Sequence, residues 1–204
     1  MKPFRNGIFT GLILQLGIGP VFFYIMNLAL QKTLIDGLVG AVGVMLGDYF
    51  YITLSIFGVG KLLDNKKIKK IFGFISSIVL IVFGTYMIIK GLQIGLSTPP
   101  AAITPDLFSS FISAFLLTVS GPISIILFTS VFTTKAMEYN YTEKDLVFFG
   151  IGTGLATFIF MGSSSIIFSL IKGVIPVLLI QILNIIVGCL LIGYGGLRAT
   201  KIKK

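Results

Sequence analysis

The sequence predicts an all-α polytopic membrane protein with six transmembrane helices, arranged as two inverted three-helix repeats in which helices one and four are broken. Hydrophobic residues make up 55% of the 204 residues and charged residues only 11%, with a mean hydropathy of +1.04. Soluble domains carry roughly 25% charged residues, so this chain lacks the polar side chains to cover a water-facing surface. Six apolar runs have about the 20 residues that a membrane-crossing helix needs: 7–30, 37–61, 71–92, 108–134, 146–171 and 174–197. We therefore expect a single transmembrane domain over residues 1–204.

The distribution of lysine and arginine predicts the orientation of the chain. If both termini lie on one side, thirteen of the sixteen cationic residues lie there, and only Lys32, Lys90 and Lys172 lie opposite. The positive-inside rule assigns the richer side to the cytoplasm, so both termini are expected to be cytoplasmic in a bacterial cytoplasmic membrane. The basic cluster at 66–70 is interpreted as a determinant of this topology that can also contact anionic lipids. A nucleic-acid partner is not expected.

Similar positions of glycine and proline divide the chain into two halves. The polar interval 93–107 contains Pro99-Pro100 and separates a first repeat, 7–92, from a second, 108–197. Each half opens with a helix that a Gly-Pro pair interrupts, Gly19-Pro20 or Gly121-Pro122. Three spans in each half would insert the second copy upside down, which is the inverted repeat of many secondary transporters.

The two Gly-Pro breaks have the chemistry of a binding site for a zwitterion. A proline removes one N–H group and frees the carbonyl four residues earlier, here that of Leu16 or Thr118. The half-helix after each proline presents N–H groups and a positive dipole end that suit a carboxylate, and the freed carbonyls suit an ammonium group. The alternative is that both prolines only kink packed helices. The candidate substrate-binding residues at the breaks are Gly19, Pro20, Val21, Gly121, Pro122, Ile123 and Ser124.

Asp48 lies deep in the second apolar run and is the strongest single candidate in the sequence. A charged carboxylate there costs on the order of 2.5–3.5 kcal/mol by insertion scales, so such residues are functional hypotheses by default. Asp48 is expected to bind the substrate amine or to carry a coupling proton, unless it only bonds to a neighbouring helix. Tyr51 lies on the same helix face. Gln15 and Asn184 are weaker candidates, since polar residues in spans often only bridge helices.

Other function classes find little support in the sequence. One cysteine, Cys189, and no histidine leave no pair for thiol–disulfide chemistry, no His-ligated metal and no Ser-His-Asp catalysis. We therefore expect no enzyme, no cofactor and no resident metal. A divalent-metal (cadmium-type) exporter stays open as an alternative, although one buried carboxylate is a poor ligand set. A non-transporting membrane scaffold also stays open, but it leaves Asp48 and the breaks unexplained.

The order of these motifs carries a family resemblance over nearly the whole chain. The motifs are the two Gly-Pro breaks, Gly43-x-x-x-Gly47-Asp48, Ile71-Phe72-Gly73, Gly84 and the segment from Gly188 to Gly193. This order resembles the LysE/RhtB family of bacterial amino-acid exporters, the lysine exporter superfamily. The family usually has Pro-Gly-Pro and Asn-Pro at the breaks, where this chain has Ile18-Gly19-Pro20 and Gly121-Pro122.

The resemblance implies a secondary transporter that exports amino acids by alternating access, using the membrane gradient. The departures at the breaks leave open whether the substrate is a basic or a small neutral amino acid. H⁺ or another coupling ion is implied as a partner, as in an antiporter, and a homodimer is a possible assembly.

Overall fold

The computed structural model describes residues 2–17, 19–57, 66–93 and 105–203. Most of the predicted connecting interval 93–107, the end of the second apolar run and Lys61 lie outside the described residues. Every element in the described part of the chain is helical: α1 (Lys2–Gln15), α2 (Pro20–Gln31), α3 (Leu34–Ile56), α4 (Lys66–Gln93), α5 (Leu107–Val119), α6 (Pro122–Tyr139), α7 (Glu143–Ile171) and α8 (Val177–Lys203). The predicted all-α class is confirmed.

Three helices are long and apolar enough to cross a bilayer by themselves: α3, α7 and the part of α8 over Leu178–Leu197. The pairs α1–α2 and α5–α6 each pass the same test together and bend by 85° and 68° at their breaks. Within the described residues this makes up to five spans, with a shorter apolar stretch, Ser77–Ile89, in α4. An integral membrane protein is therefore supported, while the number six stays a prediction.

The ends of the helices follow from local chemistry. Pro20 and Pro122 open α2 and α6, because a proline N1 position has no N–H group to satisfy. Thr33 caps α3 by accepting a hydrogen bond from the N–H of Asp36 at 3.1 Å. This cap starts α3 before residue 37, where the apolar run begins, so Asp36 belongs to the helix and is fully buried. Asp36 is thus a second buried acid, which the apolar run beginning at residue 37 did not indicate.

Small residues let α3 lie at the centre of the fold, against α2, α5, α6 and α7. A Cβ atom added at Gly43 would lie 2.6 Å from the carbonyl oxygen of Phe111, and one at Gly47 would lie 2.8 Å from a methyl carbon of Thr118. Both distances are shorter than real Cβ contacts. The glycines of α3 therefore permit close packing of helices, as membrane interfaces commonly require.

Equivalent contacts recur between the two halves. A Cβ at Gly84 would lie 2.6 Å from the carbonyl oxygen of Gly188, and one at Gly188 would lie 2.6 Å from that of Gly84. Gly43 of α3 meets the backbone of α5, and in the same way Gly152 of α7 meets the backbone of α1. The pairs α1–α7 and α3–α5 thus pack alike, and α4 packs against α8 around a reciprocal glycine contact.

Large apolar side chains cover the outside of the helices. Leu170 is 78% exposed, Leu190 61% and Ile78 48%. Apolar surface this extensive is unsuited to water and suits lipid.

Candidate functional site

Both helix breaks open into one cavity of about 430 Å³ beside α3. Backbone and polar groups line it at the two breaks and on α3: Gln15, Gly17, Gly19, Pro20, Asp48, Thr118, Gly121 and Ser124. Apolar side chains complete the wall: Leu14, Val21, Phe22, Val44, Leu80, Leu117, Leu127, Phe128 and Met161, with Tyr194 at one side. The structure thus brings the candidates Gln15, Gly19, Pro20, Val21, Asp48, Gly121 and Ser124 to a single site.

Asp48 is fixed in this cavity by a short chain of hydrogen bonds. Its Oδ2 accepts a bond of 2.7 Å from the hydroxyl of Thr157, and that hydroxyl oxygen accepts a bond of 2.7 Å from Nε2 of Gln15. The chain joins α3, α7 and α1. Because Thr157 bonds to one carboxyl oxygen and Gln15 in turn holds Thr157, the carboxylate keeps a defined orientation beside the cavity.

The charge of Asp48 has no cationic partner within the described residues. Asp48 is only 6% exposed, and the ion pairs described are Lys32–Asp106 and Lys135–Glu138. A buried charge without a partner is costly, so such a carboxyl either takes up a proton or receives an outside cation. The site is therefore suited to bind either.

The two half-helix starts lack a side-chain cap. Gly19 and Gly121 are the N-cap residues of α2 and α6, and neither receives a side-chain cap bond. The N–H of Phe22 donates to the Gly19 carbonyl at 3.1 Å, and that of Ser124 donates to the Gly121 carbonyl at 3.0 Å. Residues of both helix starts line the same cavity, so two positive helix ends lie beside it, an arrangement that favours an anionic group.

The carbonyl that Pro122 frees already has a donor from within the chain. The Thr118 carbonyl accepts a bond of 3.0 Å from the N–H of Gly121, and the next carbonyl, that of Val119, accepts a bond from the hydroxyl of Tyr51. The chain itself thus supplies donors to both carbonyls. α6 begins at Pro122, and the side chains of Pro122 and Ile123 lie outside the described ones.

Two further candidates lie away from this cavity. Tyr51 is fully buried between α3 and the end of α5, where its hydroxyl bonds to the broken helix. It lies behind the cavity and supports the break, and its role in substrate binding stays a prediction. Asn184 lies in a second, smaller cavity, where its Oδ1 accepts a bond from Nδ2 of Asn27.

Thr157 is the functional residue that sequence reasoning missed. It is 1% exposed and is the hydrogen-bond partner that Asp48 shares with Gln15. A threonine in an apolar run gives no signal by itself, because its hydroxyl can bond to its own helix. If the packing of α3 against α7 at their glycines had been known, it would have indicated Thr157 as a partner of Asp48.

Metal-binding groups are not gathered at the site. Among the described residues, no three His, Cys, Asp or Glu side chains lie close enough together to hold a metal ion. The cavity offers one carboxylate, whereas hard cations such as Ca²⁺ require six or more oxygen ligands.

Comparison with known proteins identifies the family of the chain. The searches of curated proteins and of solved structures found no significant match. The profile of one protein family, described as LysE type translocator, matches residues 12–201, which include both helix breaks, Asp48 and Thr157. The chain belongs to the family of LysE type translocators.

Proposed function

We propose that the protein is a secondary transporter that exports amino acids across the bacterial cytoplasmic membrane by alternating access. The observation that carries this proposal is the single cavity shared by the two helix breaks and the buried Asp48. It offers one negative group and two positive helix ends. A free amino acid has the complementary pair of charges.

The roles of the groups follow from their charge. Asp48 receives the substrate ammonium group, while Gln15 and Thr157 hold the carboxylate of Asp48 in place. The starts of α2 and α6 attract the substrate carboxylate through their positive dipole ends, since the N–H groups of Phe22 and Ser124 already donate to the Gly19 and Gly121 carbonyls. The apolar walls leave room for a small neutral side chain or for the aliphatic part of a basic one.

Proton coupling fits the same residue. Asp48 has no cationic partner among the described residues, so a proton and a substrate ammonium group compete for one carboxylate. Release of the ammonium group on the outer side would let Asp48 take up a proton there, and loss of that proton on the cytoplasmic side would return Asp48 to its starting state. We propose an amino acid/H⁺ antiport on this basis.

Alternating access is supported by the paired contacts of the two halves. The equivalent packing of α1–α7 and α3–α5, with the reciprocal contact of α4 and α8, fits an inverted three-helix repeat. We include in this proposal six transmembrane spans with both termini in the cytoplasm. A homodimer stays a prediction of the sequence.

The two ends of the fold differ in a way that fits one closed and one open side. Thr33 caps α3 and Asp36 lies in its first turn. Thr142 and Asp145 have the same positions at the start of α7. Asp36 also accepts bonds from the Ser110 hydroxyl at 2.8 Å and from the Asp106 N–H at 3.1 Å, which tie α3 to α5. The hydrogen bonds described for Asp145 stay within its own helix start. We propose on this basis that the Lys32 side is the closed one.

Efflux from bacteria loaded with a panel of dipeptides tests the function. We expect faster efflux of at least one amino acid with the protein than without it, and a loss of about tenfold or more in Asp48→Asn, because a charge-assisted bond is worth roughly 1.5–3 kcal/mol. Asp145→Asn is the matched control, since it changes an acid outside the cavity. Membrane content of each variant is measured by quantitative blotting.

The outcomes separate the parts of the proposal. No efflux of any amino acid from a well-expressed protein contradicts the function. Efflux that survives Asp48→Asn keeps the exporter and removes Asp48 from its mechanism. In proteoliposomes, substrate-driven proton movement that persists in Asp48→Asn would exclude this residue as the coupling site.

A further inference from the structure

A second cavity, of about 170 Å³, lies between α2, α4 and α8. Its polar lining consists of Tyr24, Asn27, Gln31, Lys32, Tyr86 and Asn184. None of its described lining residues is shared with the central cavity. It is therefore a separate space with its own chemistry.

Gln31 gives this cavity a buried donor that lacks an acceptor. Its Nε2 is buried and has no hydrogen-bond partner among the described residues. Leaving such a group unsatisfied costs roughly 1–3 kcal/mol. The neighbouring amides are paired, since Nδ2 of Asn184 donates to the Ile180 carbonyl at 2.9 Å and Nδ2 of Asn27 donates to Asn184. An acceptor supplied from outside would complete the set.

Lys32 adds a positive charge beside this donor. Its Nζ lies 3.6 Å from a carboxyl oxygen of Asp106 and donates to the Ser110 hydroxyl at 3.3 Å. The side chain of Asp106 is 59% exposed, and ion pairs in such surroundings contribute only about 0–1 kcal/mol. An incoming carboxylate can therefore share the ammonium group at little cost. No carboxylate is among the described lining residues of this cavity.

The helix α2 connects the two cavities. Its first residues, Pro20 to Phe22, line the central cavity, and its last residue, Gln31, lines the second. Twelve helical residues span about 18 Å at 1.5 Å each. The second cavity begins at Tyr24, two residues after Phe22 of the central cavity, and extends along α2 to Gln31 and Lys32 at the end of the helix.

We propose that this second cavity is a release-side subsite that binds the carboxylate of the exported amino acid. Nε2 of Gln31 and Nζ of Lys32 are its donors, and the carboxylate takes the place of Asp106 beside Lys32. The proposal rests on the proposed export function. Since Lys32 and Ser110 also take part in the closed end of the fold, occupation of the subsite weakens the contacts that close this side.

Stimulation of efflux by external substrate tests the subsite. Cells are loaded with each of the twenty ¹⁴C-labelled amino acids in turn, and the one with the largest protein-dependent efflux is kept. The external concentration of the same unlabelled amino acid that gives half-maximal stimulation is then measured. We expect Gln31→Met and Lys32→Met each to raise this concentration about tenfold, the loss of one charge-assisted bond. Lys144→Met, which removes an exposed lysine on α7, is the control and should match the wild type.

Gln31→Glu provides a second variant of nearly unchanged shape. It replaces the buried donor with a carboxylate that repels the substrate carboxylate, so it should raise the half-stimulating concentration at least as much as Gln31→Met. Quantitative blotting of membranes and thermal unfolding in detergent show that each variant is inserted and folded.

The possible results are distinguishable. If the wild type exchanges an amino acid and all three variants keep its half-stimulating concentration, the subsite is wrong and the exporter stands. If the wild type moves none of the twenty amino acids, the export function fails and this subsite fails with it. A rise in the Gln31 and Lys32 variants, with Lys144→Met unchanged, supports the subsite.

Discussion

At the scale of single residues, the hydroxyl of Thr157 determines how Asp48 is presented to the cavity. It donates to Asp48 and accepts from Gln15, each at 2.7 Å, so one atom serves two polar side chains from other helices. A hydroxyl can do both because it has one donor and two acceptor positions. Without this hydroxyl, the Gln15 amide and the Asp48 carboxylate would be held in a less well-defined orientation.

Thr157→Val tests this role with almost no change of shape. The substitution removes the donor to Asp48 and the acceptor for Gln15, so we expect a loss of stability of about 1–3 kcal/mol. Efflux should fall severalfold, because Asp48 loses its fixed orientation. Thr157→Ser keeps the hydroxyl and should retain most of the activity. The idea is wrong if Thr157→Val exports at the wild-type rate with an unchanged thermal midpoint.

At the scale of helices, glycine positions decide how closely the elements approach. Gly43 lies against backbone atoms of Phe111 and Phe115 in α5, which cannot move aside as a flexible side chain can. Gly193 of α8 has open space where a Cβ would stand. The two positions share a helical backbone but differ in what surrounds them.

Substituting alanine at each position separates packing from helix propensity. Gly43→Ala should destabilise the protein by about 1–3 kcal/mol, since it forces α3 and α5 apart. Gly193→Ala should be neutral or slightly stabilising, because alanine favours the helix by about 0.5–1 kcal/mol. Thermal unfolding in detergent, followed by intrinsic tyrosine fluorescence, compares the two. Equal effects at both positions would show that the close approach of α3 and α5 does not need glycine.

At the scale of the whole molecule, the distribution of charge sets the orientation in the membrane. The predicted topology places the 66–70 cluster and the basic C-terminal end on the side of the N-terminus, and Lys32 and Lys172 on the opposite side. The structure places these last two together, since Nζ of Lys172 donates to the carbonyl of Lys32 at 2.6 Å. The turns α2–α3 and α7–α8 therefore lie at the same end of the fold.

Reporter fusions test this orientation. An alkaline phosphatase that is active only outside the cytoplasm should be inactive when fused after residue 204, and active when inserted after Lys172 in the α7–α8 turn. A reporter that fluoresces only in the cytoplasm should give the reverse pattern. Activity of the phosphatase at both positions would place the C-terminus outside the cytoplasm. That result would contradict the predicted orientation, in which both termini are cytoplasmic.

Local features of the sequence were sufficient for the class of protein and for much of the candidate site. Hydropathy over about 20 residues depends on composition alone, so the membrane helices could be recognised without any contacts. The breaks at Gly19-Pro20 and Gly121-Pro122 could be recognised too, because proline lacks an N–H group wherever it stands. Asp48 stood out because a carboxylate in hydrocarbon is costly in any fold.

The partners of these residues were decided only by the tertiary structure. Thr157 is 109 residues from Asp48, and Tyr51 is 68 residues from the carbonyl it supports. The burial of Asp36 depends on Ser110 and on the N–H of Asp106, both on another helix. Among the described residues, Nε2 of Gln31 lacks a partner in the cavity that α2 forms with α4 and α8. Such pairings arise from the packing of helices across long chain distances, whereas sequence periodicity records only which face of a helix is apolar.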